Sequence, residues 1–436
     1  MKKFTSLFAL LLLALSAKAD YYVPSVGTNE ICVFYESEIT NFTNIYSFDA
    51  SGNKLTGEWP GNAMTVAGTT EEGNKVYKVT FSTEPKTIIF TDGVNGENGK
   101  QTVDLPFTNH AYYYIDDKYD NNEKKYYNKF SFTVDAGFDV YFDKTDTGWE
   151  KVYAHVWIPN GAEHRGGWPG KKMTDLGNGL YKFHINSTAF NKVIFNKGTG
   201  EGGFGNQSNE YDLSPNTVYY NSGQNISITV NGQISQNATS YAASSASYER
   251  VCTKQWGTLC LPFAITPSEY STVTFYQLSS VSATALTFTP ITSTIAAGTP
   301  VVFKLSSSSG TLKIEEGSVN VTTIPGSTEV DNCDWKVFGT FSSQNNKNGI
   351  FLIYNNEICP GTNITIPPYR AWFEGTLPAG NSGGAPLRIE VADTEGLEYV
   401  EQEDGIVKAY YDLQGRKLDG ARKGLVIENG KIIMVK

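Results

Sequence analysis

The stretch Glu58–Thr65, EWPGNAMT, recurs later in the chain as Gly167–Thr174, GWPGKKMT. In both copies a Trp-Pro-Gly corner precedes a Met-Thr pair at the same interval, and the sequence on either side recurs as well. The two corners begin at Trp59 and Trp168, which are 109 residues apart (168 − 59). That period is too long for a solenoid, so the repeat predicts two tandem domains, here named module 1 and module 2.

Short strand-like runs surround each corner at matching places. They are rich in β-branched and aromatic residues and are bounded by Gly, Asn and Pro, a pattern that is typical of strands. The spacing predicts a β-sandwich of roughly seven or eight strands in about 90 residues for each copy. The runs are residues 31–35, 45–48, 75–81, 86–90 and 111–115 in module 1, and 139–142, 152–157, 179–185, 192–195 and 217–220 in module 2.

Composition narrows the class of protein and of partner. The chain holds 26 Tyr, 24 Phe and 42 Gly, a profile that is typical of linked antiparallel β domains. A net charge of −10 argues against nucleic acid or an anionic membrane as the main partner and suits a neutral ligand. Five Cys are too few and odd in number for a disulfide framework, although one bridge among the later four remains open. With four His and no CxxC motif, neither a structural zinc site nor a cofactor is expected.

The start of the chain has the features of a secretory signal peptide. Two Lys precede an apolar run, and small residues follow it, which predicts removal of residues 1–19 by cleavage near Ala19. No other run reaches the roughly 18 apolar residues of a membrane span. The mature protein is therefore expected to be secreted or displayed at the cell surface.

The whole chain is predicted to be all-β. Two tandem β-sandwich modules are followed by a further β-rich domain and a small C-terminal β unit. Residues 116–128 are interpreted as a linker or a divergent edge hairpin, and residues 231–247 as a second linker. The predicted segments are 27–116 for module 1, 129–222 for module 2, 248–392 for the β-rich domain of unknown role and 397–436 for the C-terminal unit.

Aromatic residues near the corners suggest carbohydrate binding. A pyranose has an apolar face of C–H groups, against which an aromatic ring can lie while polar groups meet the hydroxyls. In module 2, Tyr153, His155 and Trp157 alternate along one strand and so share a face. Trp168 follows after a Gly-rich loop, and two aromatics at an angle fit a curved α-glucan better than a flat β-glucan.

Module 1 has the corresponding set Tyr46, Phe48 and Trp59. The aromatic strands of the two modules can be aligned in two ways. Alignment from the strand pairs Tyr46 with Tyr153, whereas alignment from the corner pairs Tyr46 with His155. A buried corner is the alternative for each Trp, and a core position is favoured for Phe48. The loop residues Asp92, Asn196 and Lys197 could reach hydroxyls, although solvated turn positions are favoured for them.

With these elements in this order, both modules resemble family 26 starch-binding carbohydrate-binding modules. The matching elements are a VFY or VYF strand, the aromatic strand, the WPG-x-x-MT corner, the KVYKVTF or GLYKFHI strand, and IIFTDG or VIFNKG leading to a Gln-containing loop. The resemblance implies binding of α-1,4-glucans such as starch, maltooligosaccharides or glycogen. The contacts it implies are Tyr46, Phe48, Trp59 and Gln101 in module 1, and Tyr153, His155, Trp157, Trp168 and Gln207 in module 2.

No catalytic constellation stands out after module 2. A carboxylate pair among Glu315, Glu316, Asp331 and Asp334 would be needed for a glycosidase in residues 248–392. A starch hydrolase of the common type would need an α/β barrel of roughly 250 residues, and no alternation of strands and helices of that length is present. The last segment, with YYDLQGRKL and KGLVIENGKIIMVK, resembles a type IX-like C-terminal sorting segment; a plain terminal hairpin is the alternative.

The sequence therefore predicts a non-catalytic protein that binds starch or another α-glucan, with no catalytic residues and no metal. A separate amylase or uptake system is the expected partner. Two alternatives remain: an enzyme that the modules target to starch, with its active site in residues 248–392, and an adhesin that binds another glycan or a protein.

Overall fold

The computed structural model describes residues 22, 24–37, 41–70, 73–122, 125–164, 167–199, 205–221, 225–331, 333–377 and 385–392, with the backbone alone at 116–118, 129–130, 410–411, 417–418, 424–428 and 431–435. The fold of this part is all-β, as predicted, apart from one 3₁₀ turn at Pro267–Glu269. The predicted signal peptide lies outside the described residues. The chain divides into two compact units, Met1–Ser244 and Ser245–Lys436.

Module 1 is one sheet of ten strands. Its strands pair in the order β3-β2-β6-β7-β10-β9-β1-β5-β4, and β8 pairs with β6. The strands are β1 (Ile31–Ser37), β2 (Asn44–Phe48), β3 (Asn62–Ala63), β4 (Thr65–Thr69), β5 (Lys75–Phe81), β6 (Thr87–Thr91), β7 (Gln101–Thr102), β8 (Leu105–Pro106), β9 (Ala111–Asp120) and β10 (Lys125–Thr133).

Module 2 repeats these pairings in two separate sheets. The order β13-β12-β16-β17 matches β3-β2-β6-β7, and β14-β15-β11-β18-β19 matches β4-β5-β1-β9-β10. The duplication predicted from the two corners is thus present in the strand topology. The strands are β11 (Phe138–Asp143), β12 (Tyr153–Trp157), β13 (Lys171–Lys172), β14 (Thr174–Gly177), β15 (Leu180–Ile185), β16 (Lys192–Asn196), β17 (Gln207–Asp212), β18 (Thr217–Tyr220), β19 (Ile226–Val230) and β20 (Ser240–Cys252).

Both segments interpreted as linkers contain strands. Of the two alternatives for residues 116–128, the hairpin is the one formed, because β9 and β10 pair antiparallel across it. Strand β10 continues to Thr133, past the predicted start of module 2 at residue 129, and the Val134 backbone N–H donates to the His110 carbonyl, so module 1 extends to Val134. The interpretation of residues 231–247 as a linker is wrong for its second half, since β20 begins at Ser240 and pairs with β19. Small residues such as Ala243 and Ala246 are buried there, because sheet pairing outweighs their weak β propensity.

Strand β1 explains why ICVFY is an unbroken apolar run rather than an alternating one. Val33 and Tyr35 face the core of module 1, together with Ile45, Tyr77 and Phe90. Cys32 and Phe34 face the opposite side, where they belong to a cluster with residues of module 2. A strand that is buried on both faces needs apolar residues at every position.

The two modules share an apolar core. The main cluster of module 2 includes Val140, Phe183 and Phe195, and it also includes residues from the outer face of module 1. Phe132 of β10 is the clearest link, since its ring centroid lies 5.1 Å from that of Phe190 and 5.2 Å from that of His164. The module 1 residues in this cluster are Cys32, Phe34, Val76, Tyr112, Tyr114, Phe132 and Val134.

The second unit contains two five-stranded sheets with a common core. The sheets have the orders β21-β24-β22-β23-β33 and β26-β27-β32-β29-β30, and β28 pairs with β31. Phe288 and Phe373 meet in this core. The strands are β21 (Trp256–Leu259), β22 (Val273–Val281), β23 (Ala285–Pro290), β24 (Val301–Leu305), β25 (Gly310–Thr322), β26 (Ser327–Glu329), β27 (Lys336–Thr340), β28 (Gln344–Lys347), β29 (Ile350–Tyr354), β30 (Glu357–Gly361), β31 (Ile364–Ile366), β32 (Arg370–Glu374) and β33 (Arg388–Val391).

The C-terminal segment also forms strands: β34 (Tyr410–Tyr411), β35 (Lys417–Leu418), β36 (Gly424–Glu428) and β37 (Lys431–Val435). Glu428 pairs with Lys431, as the predicted Asn-Gly turn requires, although the two turn residues lie outside the described part. All five cysteines are described and free, so the disulfide left open is not formed. Among the described residues, no helix has the length and apolar character needed to span a membrane.

Candidate functional site

The structure decides the register between the two aromatic strands. Ile45 of β2 pairs with Asn62, directly after the first corner, and Ala154 of β12 pairs with Lys171, directly after the second. Counted from these pairs, Tyr46 corresponds to His155, Phe48 to Trp157 and Asn44 to Tyr153. The alignment from the corner is therefore the correct one of the two.

Each module presents a three-ring cluster of the same form. In module 2 the His155 ring stacks on Trp157 with centroids 5.0 Å apart, and Trp168 meets His155 at 5.5 Å and 67°. In module 1 the centroids of Tyr46 and Phe48 are 6.3 Å apart, and Trp59 meets Tyr46 at 5.4 Å and 71°. The near-perpendicular Trp in each copy produces the angled pair of surfaces predicted for a curved ligand.

These rings lie at the surface rather than in the core. Trp59 is 38% exposed, and Tyr46 and Phe48 are half-buried, while their neighbours Ile45 and Ser47 are buried. The same alternation occurs in β12, where Tyr153, His155 and Trp157 are half-buried. Phe48, for which a core position was favoured, thus stands on the outer face of its sheet, because the period of a strand places it beside Tyr46.

Glycine lets each corner approach the aromatic strand. Gly61 has φ +85° and Gly170 has φ +84°, and a Cβ added to either would lie 2.1 Å from the carbonyl oxygen of Ile45 or Ala154. No side chain fits at that distance. The third residue of each corner must therefore be glycine. Its close contact with the aromatic strand is what brings each Trp next to that strand.

A polar side chain from the neighbouring strand fixes each corner. Thr91 Oγ1 donates to the Pro60 carbonyl at 2.7 Å, and Asn196 Nδ2 donates to the Pro169 carbonyl at 2.8 Å. Asn196 is buried, so it is not the solvated turn residue that was favoured. Asp92 accepts from the backbone N–H groups of Val94 and Lys100 and so orders its own loop. Thr91 was not singled out from the sequence, because a strand threonine carries no distinctive pattern.

The two glutamines occupy equivalent positions at the edge of the same surface. Gln101 pairs with Thr91, and Gln207 pairs with Asn196. Directly opposite residues of antiparallel strands point to one face, so each Gln shares a face with its aromatic strand. Adjacent strands are about 4.8 Å apart, which places each Gln about 10 Å from the aromatic strand. The structure thus brings all nine predicted contact residues to two equivalent faces.

Module 2 has one more aromatic ring than module 1. Tyr153 covers Gly198, where an added Cβ would lie 2.1 Å from the ring. The corresponding residue of module 1 is Asn44, whose Nδ2 donates to the Gly61 carbonyl at 2.9 Å. Module 1 thus has an amide that holds the corner where module 2 has an aromatic ring. The face of module 1 therefore has less aromatic area.

The polar atoms of the module 2 cluster are incompletely satisfied. Among the described residues, neither His155 Nδ1 nor Trp168 Nε1 has a hydrogen-bond partner. His155 Nε2 is 4.0 Å from Glu163 Oε1. Burial lowers the pKa of His155 and outweighs the opposing attraction of Glu163, so the ring is neutral at pH 7. A neutral imidazole suits an uncharged ligand.

The carboxylates considered for a glycosidase have structural partners. Glu316 accepts from the Thr266 backbone N–H at 2.7 Å, and Glu315 forms an ion pair with Lys313 at 2.8 Å. Asp334 accepts from the Thr376 backbone N–H at 3.0 Å. Within the described part of the chain, no group of three or more His, Cys, Asp or Glu residues is arranged to hold a metal ion.

Comparison with known proteins agrees with the duplicated geometry. Residues 33–107 and 140–209 both match the family described as Starch-binding module 26. An alpha-amylase of Butyrivibrio fibrisolvens is 30% identical over 195 residues, which are 42% of this chain and 19% of that protein. The chain thus spans about a fifth of the length of this relative.

A solved structure is also similar, the crystal structure of CBMbc (family CBM26) from Eubacterium rectale Amy13K in complex with maltoheptaose. It is 19% identical and covers 44% of this chain and 91% of the solved one, with a TM-score of 0.17. Both matched segments of the present chain contain the aromatic strand and the Trp-Pro-Gly corner.

Proposed function

We propose that the two segments matching Starch-binding module 26 each bind α-1,4-glucan, and that the chain is a non-catalytic, exported starch-binding protein. One observation carries the proposal: the same cluster of three rings stands on the same face in both segments. A half-exposed Trp at a steep angle to a strand aromatic offers two planes to successive sugars of a bent chain. Ring faces supply contact area at low entropic cost, and in this proposal the glutamines and His155 contact the sugar hydroxyls.

Two sites on one chain favour polymeric ligands. Each sugar hydroxyl contact replaces a contact with water, so a single site is weak. Once one module holds a glucan, the other encounters the same polymer at a high effective concentration. Binding to amylopectin is therefore expected to exceed binding to a short maltooligosaccharide by more than the sum of two independent sites.

Affinity electrophoresis in gels containing amylopectin tests this proposal, with dextran and a β-glucan as controls. Retardation is expected in amylopectin alone. Trp59→Ala and Trp168→Ala should each weaken retardation, and the double variant should abolish it. Tyr354→Ala serves as a matched control, since Tyr354 is 66% exposed in the second unit and far from either corner in sequence. Retardation of the double variant equal to that of the parent would show that the sites are misassigned.

The alternative of a starch-targeted enzyme has one observation behind it, the relative described as an alpha-amylase. Release of reducing sugar from amylose by the purified chain would favour that alternative over the non-catalytic proposal. Binding to non-glucan sugars on a glycan array, without retardation in amylopectin, would instead favour an adhesin.

Export and surface location are part of the proposal and rest on the sequence of the two ends. The predicted partner is a separate amylase or uptake system, to which the modules would hold starch close. Deletion of residues 405–436 should prevent delivery to the surface if the tail is a sorting segment. Unchanged surface delivery after the deletion would leave the tail as a plain terminal β unit.

A further inference from the structure

A buried ion pair connects module 1 to the corner of module 2. Lys171 is the residue directly after Gly170, and its backbone pairs with Ala154 of the aromatic strand. Its side chain is not in water, since Lys171 is only 4% exposed. Lys171 Nζ lies 3.7 Å from Glu36 Oε1 and 5.5 Å from the centroid of the Tyr114 ring. Both Glu36 and Tyr114 belong to module 1.

Glu36 is itself held firmly. It stands near the end of β1 and is 1% exposed. Its carboxylate accepts hydrogen bonds from Tyr112 Oη at 2.6 Å, from Tyr114 Oη at 3.3 Å and from Asn74 Nδ2 at 2.9 Å. A carboxylate held by three donors is fixed in place, so it is a rigid anchor for the Lys171 side chain.

The ion pair lies next to the corner that carries Trp168. Trp168, Pro169 and Gly170 directly precede Lys171, so a shift of the Lys171 backbone moves the corner against the aromatic strand. A buried ammonium that loses a charged partner is driven to rearrange or to reach water. The corner of module 1 has no equivalent buried ion pair, because the residue that corresponds to Lys171 is Asn62, which is exposed.

We propose that Glu36 of module 1 is a positioning residue for the glucan site of module 2, acting through Lys171 on the Trp168 corner. This inference rests on the proposed function of module 2. The two sites are then not interchangeable: module 1 binds without help from its neighbour, whereas module 2 binds well only when docked on module 1.

The test isolates each site in the full-length chain. Affinity for maltoheptaose is measured by calorimetry in a Trp59→Ala background, which leaves the site of module 2, and in a Trp168→Ala background, which leaves that of module 1. Glu36→Gln keeps the shape of the side chain and removes its charge. It is expected to weaken the module 2 site about tenfold and the module 1 site less than twofold. Lys171→Met should reproduce this pattern. Lys171→Arg keeps the charge, so the module 2 site of this variant should retain most of its affinity.

A second readout needs no ligand. In protein labelled with 5-fluorotryptophan, the ¹⁹F resonance of Trp168, assigned by substitution, is expected to shift or broaden in Glu36→Gln, while that of Trp59 stays in place. Tyr114→Phe, which removes one hydroxyl donor from Glu36, gives a milder variant if Glu36→Gln does not fold.

The outcomes are separable. An unchanged Trp168 resonance together with an unchanged module 2 affinity would overturn the inference. Equal loss at both sites would do so as well, because it would indicate general destabilisation. If Trp168→Ala in the Trp59→Ala background still binds glucan, the proposed function fails, and the ¹⁹F readout then decides the coupling alone.

Discussion

Replacement of Phe132 by Ala is expected to destabilise module 2, although Phe132 belongs to the hairpin of module 1. The ring is 6% exposed. It stacks on Tyr112 at 5.1 Å and 12° and meets Phe190 edge-on at 5.1 Å and 75°, with His164 at 5.2 Å. Truncation of a buried Phe to Ala costs about 3–5 kcal/mol. We expect about 3 kcal/mol, since residues at the seam between two modules can partly close the cavity.

Urea unfolding monitored by the ¹⁹F resonances of Trp59 and Trp149 measures this cost in both modules at once. Trp149 lies in the shared cluster and Trp59 on the face of module 1. The two signals should change in one transition, at a lower urea concentration in the variant. Thr133→Ala on the same strand is the control, since Thr133 is exposed and the expected change is within about 0.5 kcal/mol. A loss below about 1 kcal/mol for Phe132→Ala, or a transition of module 1 alone, would refute the shared core.

Further predictions concern the corner, pH and thiols. Gly170→Ala should cost about 1–3 kcal/mol in urea unfolding, because φ is +84° and the new Cβ would meet the Ala154 carbonyl; Gly148→Ala, with φ +69° and open space, should cost less. Since the pKa of His155 is lowered in the fold, the unfolded chain binds a proton first as pH falls below about 6.5, and stability is lost. The Tm of the parent should therefore fall more between pH 7.5 and 5.5 than that of His155→Gln; equal falls would contradict this. Iodoacetamide should modify exposed Cys333 in the native protein but not Cys32 or Cys260, where burial raises the thiol pKa to about 11 and about 12. Mass spectrometry of the labelled peptides checks this, and native labelling of Cys260 would argue against its burial.

Much of the candidate site could be predicted before the structure was known. The assignment of Trp59 and Trp168 as contact residues does not depend on the register, because the corner itself repeats. Alternation in β12 correctly grouped Tyr153, His155 and Trp157 on one face. The correspondence between the copies could not be settled, since the loops between strand and corner differ in length. Only the cross-strand pairs Ile45–Asn62 and Ala154–Lys171 decide it.

Residues that hold the corner in place were missed for a different reason. Thr91, Glu36 and Lys171 are ordinary in type and spacing, and their roles depend on partners distant in the chain. A Lys next to a Trp-Pro-Gly corner is expected in water, yet Lys171 is buried against another module. Nothing local distinguishes it from Lys172, the next residue.

The amino-acid order was sufficient for the duplication, the all-β class and the shared face of the rings in β12, because strand period and turn residues act locally. It did not place Phe48 of β2 on the outer face. What covers each face was decided by tertiary packing. The run ICVFY in β1 shows the difference: its composition indicates burial on both sides, but only the fold shows that one side meets the core of module 1 and the other meets module 2. Period-two alternation specifies which side chains share a face, whereas the partner of that face depends on contacts between residues far apart in sequence.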